Sequence, residues 1–180
     1  MASQIHYEER TGWAFWVHLL ISVTFVAAAI PLFELIQGKV WGQEGAMSVG
    51  VALLSVGLGL GIPGAVYLFF GQLMVRVLDD GIEVVWGIAG VIRKSVPFSQ
   101  IQQASPVTYS PLSEFGGWGI RVGRGKKVAW TIRGNRALCL HLQDGTLFYL
   151  GSPHPERLLG RVVSVGKGKM GVRTSDEGNS

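Results

Sequence analysis

Residues 46–71 read AMSVGVALLSVGLGLGIPGAVYLFFG, and no charged residue occurs from 46 to 72. As a helix, the 25 residues from 47 to 71 extend roughly 37 Å at about 1.5 Å per residue. That exceeds the roughly 30 Å hydrocarbon core of a bilayer, so the stretch reads as a membrane span. Gly50, Gly57, Gly64 and Gly71 recur at intervals of seven, and Gly61 follows Gly57 by four. They share one helix face, where small residues let a second helix come close. That helix is either the chain's own neighbouring span or part of another integral membrane protein. Gly59-Leu60-Gly61-Ile62-Pro63-Gly64 matches the glycine spacing of a dinucleotide-binding turn. No strand or βαβ unit surrounds it, which excludes that site. Pro63 is expected to kink the helix.

Upstream, residues 13–37 read as a first span, with Trp13 and Trp16 at one interface and Trp41 at the other. Ala27, Ala28 and Ala29 resemble a signal-cleavage site. However, Glu8 and Glu9 oppose Arg10 in the leader, and the apolar run continues past the alanines, so the helix is expected to stay uncleaved. Pro31 is expected to bend it, and Glu34 to reach the interface or a partner. A glycine-rich loop at 39–45 closes a transmembrane hairpin over 13–71, preceded by a polar segment at 1–12. Of the 16 Lys and Arg residues, all but Arg10 and Lys39 follow the second run. The positive-inside rule then predicts cytoplasmic N- and C-termini, in a bacterial inner or intracytoplasmic membrane. The net charge of +4 reports that topology. No basic helix or aromatic RNA-binding signature accompanies it, so no nucleic-acid partner is expected.

From residue 73 the periodicity changes. Residues 74–78 and 82–86 flank the turn Asp79-Asp80-Gly81. Further strands are expected at 91–96, 102–107, 116–121 and 128–132, with a connection at 97–101. A hairpin follows at 137–142 and 146–150 across Gln143-Asp144-Gly145. Ser152 can cap a last helix, with Pro153 and Pro155 in its first turn and Glu156 at the positive end of its dipole. Leu158, Leu159, Val162 and Val163 form an apolar stripe that should lie on the strands. Residues 164–180 read as a flexible tail.

Gly116-Gly117-Trp118-Gly119-Ile120-Arg121 and the run LHLQDGTLFYLGSPHPERL at 140–158 carry a resemblance. They resemble bacterial pleckstrin-homology-like (PH-like) domains of unknown function that follow one or two membrane helices. The resemblance covers residues 73–163. It implies a membrane-anchored α+β protein: two transmembrane helices, then a small antiparallel PH-like barrel or sandwich capped by a C-terminal helix. It carries no catalytic residues over. PH-like domains commonly bind lipids or proteins, and fold analogy does not choose between them.

Few residues offer chemistry. His18, with Trp16 beside it, lies inside the first span, where a neutral imidazole could ligate haem iron or a chlorophyll-type magnesium. The competing reading is an interfacial histidine bonded to a neighbour. Arg121, Arg124, Lys126, Lys127, Arg133 and Arg136 fall on two adjacent loops. They could meet anionic lipid headgroups, or simply form a solvated face. Cys139 is the single cysteine, and with His141 and His154 it shows no metal-ligand spacing. No GxSxG, HExxH or P-loop motif occurs. The expected function is non-enzymatic: a scaffold or accessory subunit docking onto a larger membrane complex, respiratory or photosynthetic. The alternative is a stand-alone lipid- or ligand-sensing module.

Overall fold

The computed structural model describes residues 4–13, 15–36 and 49–170. Chain order is β1 (Ile5–Gly12), α1 (Phe15–Ile36), α2 (Val49–Phe70), β2 (Gln72–Leu78), β3 (Gly81–Trp86), β4 (Ile92–Pro97) and β5 (Ile101–Thr108). Then follow α3 (Pro111–Phe115), β6 (Gly119–Val122), β7 (Lys127–Thr131), β8 (Arg136–Leu142), β9 (Leu147–Gly151) and α4 (Pro155–Gly166). The expected loop at 39–45, Trp41 and the tail from 171 lie outside the described residues, as do the side chains of Trp16, Pro31 and Glu34.

The segment before the first helix contains a strand that the sequence reading missed. β1 pairs antiparallel with β2, from Ile5 opposite Leu78 to Gly12 opposite Gln72. Glu8, Arg76 and Glu83 stand in line across β1, β2 and β3. Arg76 donates from Nε to Glu8 at 2.8 Å and from Nη1 to Glu83 at 3.3 Å. The bond from Arg76, with one from Arg10, holds the Glu8 carboxyl below its ordinary range. Such cross-strand charge pairs are a unit of sheet stabilisation. On the opposite face of β1, Tyr7 packs against the core and Thr11 is buried. Glu9 accepts from Tyr7 Oη at 2.7 Å and from Ser152 Oγ at 2.6 Å. Burial, then the neighbouring Glu9, pushes the Tyr7 hydroxyl up to about 12.

The helix pair is therefore an insertion between two neighbouring strands, and its outer ends meet where Gly12 pairs with Gln72. Two transmembrane helices were expected. Among the described residues only α2 carries a stretch long and apolar enough to cross a membrane, Leu53–Phe70, none of it buried within the chain. Among the described residues of α1 the apolar stretch is Val17–Ala27.

The strands form two sheets, ordered β1-β2-β3-β4 and β5-β8-β9-β7-β6. No closed, wholly antiparallel barrel results. The sheets share no ladder, and β7 runs parallel to β9. Leu73, Val75 and Val77 of β2 alternate inward, as do Ile82, Val84 and Trp86 of β3. They face Leu138, Leu140, Phe148 and Leu150 of the second sheet in one core. The other face of that sheet is covered as well. Phe115 of α3, read as loop from the sequence, packs with Tyr109, Ala129, Ala137, Cys139 and Tyr149.

α4 lies against β5, β8, β1 and β2, filling the gap between the sheets. Leu158 and Val162 are fully buried, Leu159 packs partly, and Val163 is half-buried. Ser152 is not the cap. His154 holds that position, and its N–H donates to Ser152 Oγ at 3.0 Å. The helix also outruns its expected end. Met170 packs back on the core, and Lys169 Nζ donates to the Asp79 carbonyl at 2.6 Å. Residues 164–170 thus belong to the domain rather than to a tail.

Candidate functional site

The junction between helix and sheet is built of backbone. The N–H groups of Ile88 and Ala89 both donate to the Leu68 carbonyl, at 2.8 and 3.2 Å, and the Gly87 N–H donates to the Gln72 carbonyl at 2.7 Å. The β3–β4 loop thereby satisfies a carbonyl that the C-terminal end of α2 leaves without an intrahelical partner. Gly87 adopts φ +80, and a Cβ there would run into the Phe69 carbonyl oxygen. Only glycine allows so close an approach. On the helix side, Tyr67 meets Trp13 edge-on at 5.9 Å and His18 edge-on at 5.6 Å.

A groove of about 370 Å³ opens at this junction. Trp13, Phe70, Trp86, Trp118, Ile120 and Arg121 line it. Its volume falls in the roughly 300–1,000 Å³ range of small-ligand sites. Trp86 is almost fully buried, and its Nε1–H finds no acceptor among the described residues. An unmet buried donor costs about 1–3 kcal/mol. Trp118 Nε1 donates to the Gly134 carbonyl at 2.7 Å, tying β6 to the β7–β8 turn. Arg121 Nε donates to the Trp118 carbonyl at 3.1 Å, and the guanidinium has no carboxylate partner among the described residues. Ile88 and Val91, at 48% and 69% exposure, add apolar surface on the β3–β4 loop. Beside the groove, a second cavity of about 290 Å³ is lined by Thr11, Arg133, Asn135, Arg136 and Ser152.

The six basic residues are distributed along the β6–β7 hairpin and the β7–β8 turn. The hairpin's turn lies at the opposite end from the Gly119–Thr131 pair. Arg121, Arg133 and Arg136 line the two junction cavities. Arg136 is also paired with Glu156 of α4. At the far end, Lys126 Nζ donates to the Asp144 carbonyl at 3.1 Å, and Lys127 Nζ pairs with Glu114 at 2.9 Å. The Lys127 bond is the first cause holding the Glu114 carboxyl below its ordinary range. Arg124 lies in the same turn.

Among the described residues, nothing packs on the glycine face of α2 at Gly57, Gly61 and Gly64. Cβ atoms placed on Gly57, Gly61 or Gly64 would meet nothing within 4 Å, and Gly50 is exposed. Gly71 is different: a Cβ there would strike the Tyr67 carbonyl, so this glycine serves the exit of α2 into β2. His18 faces Tyr67, whose Oη lies 3.5 Å from its Nε2. Among the described residues no three His, Cys, Asp or Glu side chains gather as a metal site. Cys139 is buried, which pushes its thiol up to about 11 and keeps it protonated at neutral pH. A protonated thiol is a poor nucleophile.

The site residues missed by the sequence reading are Trp13, Phe70, Trp86, Trp118 and Ile120 acting together. In the sequence Trp13 and Phe70 stand at the span edges, Trp86 ends a strand, and Trp118 and Ile120 belong to the glycine-rich stretch 116–121; no local signal joins them. No family model matches this chain, and no curated protein is significantly similar to it.

Proposed function

We propose that this chain is a non-catalytic integral membrane scaffold. It is an accessory subunit that docks onto a larger membrane complex, of the energy-transducing kind, and holds a PH-like sandwich at the cytoplasmic membrane surface. The observation that carries this reading is the joint. The helix pair enters and leaves the sandwich at one register position, Gly12 opposite Gln72, and the β3–β4 loop bonds to the helix end. A domain joined this way sits at a set height and orientation on the bilayer, as a scaffold requires. The glycine face of α2 supports docking, because no described residue comes within 4 Å of a Cβ placed on Gly57, Gly61 or Gly64.

Gentle detergent extraction tests the proposal. The native chain co-purifies in fixed stoichiometry with a large membrane complex. Gly61→Leu keeps the native melting temperature, because its side chain enters open space, but loses co-purification. A native chain that runs as a lone monomer or dimer would overturn the scaffold reading. It would favour instead a membrane-anchored lipid- or ligand-sensing module, to which the junction groove lends support.

The topology has its own check. Reporters fused after Ser180 and within residues 39–45 are expected on opposite sides, the first cytoplasmic. A periplasmic reporter at Ser180 would reverse the orientation of the sandwich.

A further inference from the structure

The junction groove joins three observations that no docking role requires. It is continuous with the apolar surface of α2 through Phe70 and with the start of α1 through Trp13. It holds one cation, Arg121, with no carboxylate partner among the described residues. It also contains Trp86, whose buried Nε1–H lacks an acceptor among the described residues. An apolar trough ending in a guanidinium with no carboxylate partner among the described residues complements a molecule that is hydrocarbon at one end and anionic at the other.

We propose that this groove is a binding site for one anionic phospholipid, its phosphate on Arg121 and an acyl chain along Phe70 and Trp13. Planar guanidinium groups bind phosphate through paired N–H donors, and here Nε is already committed to the Trp118 carbonyl. The two Nη groups remain for the ligand. Phe70 is the last residue of α2, so the groove lies at the headgroup level of any bilayer that α2 crosses. Aromatic residues favour that level. The site rests on the membrane reading of α2. It goes beyond a charged surface, because the far-end residues Arg124, Lys126 and Lys127 take no part.

The test uses the full chain in nanodiscs of equal phosphatidylcholine and phosphatidylglycerol, released into native mass spectrometry. The wild type retains one phosphatidylglycerol in preference to phosphatidylcholine. Arg121→Gln reduces that retention about fivefold, the effect of one interfacial cation. Ile120→Glu, an exposed edge-strand change that sets a carboxylate in the groove, reduces it at least as much. Arg124→Gln leaves it unchanged. Equal retention of both lipids by the wild type, or native retention in Arg121→Gln, overturns the site. Displacement of the lipid by millimolar inorganic phosphate overturns the lipid in favour of a small soluble anion. Failure of the chain to enter nanodiscs overturns the membrane reading, and the lipid site with it. Entry without lipid preference overturns the site alone.

Discussion

Leu158→Ala lowers the unfolding free energy of the sandwich by about 2–5 kcal/mol, the usual cost of removing a buried leucine side chain. Leu158 has no exposed surface and belongs to the same cluster as Leu73, Val75, Leu138 and Leu140. α4 touches strands of both sheets, so the cavity left behind lies where the two halves of the core meet. Few atoms there can move in to fill it. Against a total stability of about 5–15 kcal/mol, this is a large fraction. The check is a denaturant titration of the full chain followed by tryptophan fluorescence, since Trp86 and Trp130 sit in that core. Gly160→Ala on the solvent side of α4 serves as control, because its Cβ meets nothing within 4 Å. A Leu158→Ala midpoint equal to wild type would mean that α4 does not dock.

A chain beginning at Leu73 loses stable folding, whereas one with residues 13–71 replaced by Asn-Gly keeps it. The first lacks β1 and its seven paired positions along β2. At about 1 kcal/mol net per hydrogen bond, their loss removes several kcal/mol. It also removes Tyr7 and Thr11 from the core side, leaves Ser152 without Glu9, and exposes the β2 edge to foreign strands. In the second chain, Gly12 and Gln72 are already register partners, and a two-residue turn is the natural link between such positions. Near-ultraviolet circular dichroism and gel filtration distinguish the outcomes. A monomeric, cooperatively melting protein from the chain starting at Leu73 would show that β1 is dispensable. The sandwich is thus assembled from segments on both sides of the helix pair.

Why that strand escaped the sequence reading is plain from its residues. Its inward face is Tyr7, Glu9 and Thr11, so only one of three core-side positions is apolar. Hydrophobic alternation is the main local signal of a strand. Here the stabilising partners are distant: Ser152 for Glu9, Arg76 for Glu8 and Asp79 for His6, at 2.6, 2.8 and 2.6 Å. α3 escaped for a related reason. Five residues between prolines and glycines read as loop, and Phe115 gains its place only from Tyr109 and Tyr149.

The basic cluster depends on pairing as well. Closeness in sequence suggested one patch. The β6–β7 hairpin carries Lys126 and Lys127 to the far end, where Asp144 and Glu114 engage them.

By itself the sequence determined what local pattern can carry. That comprises the uncharged run that becomes α2, strands β2 to β9 near their observed places, and the apolar stripe of α4. Each depends on the spacing of apolar residues along a few turns or one strand. Tertiary structure alone decided what depends on pairing between distant segments. It placed β1 beside β2, turning the helix pair into an insertion, and set β7 parallel to β9. It gathered Trp13, Phe70, Trp86 and Arg121 into one groove, and left the glycine face of α2 without a neighbour among the described residues. Hydrogen-bond register and close packing act between residues tens of positions apart, and no local periodicity encodes them.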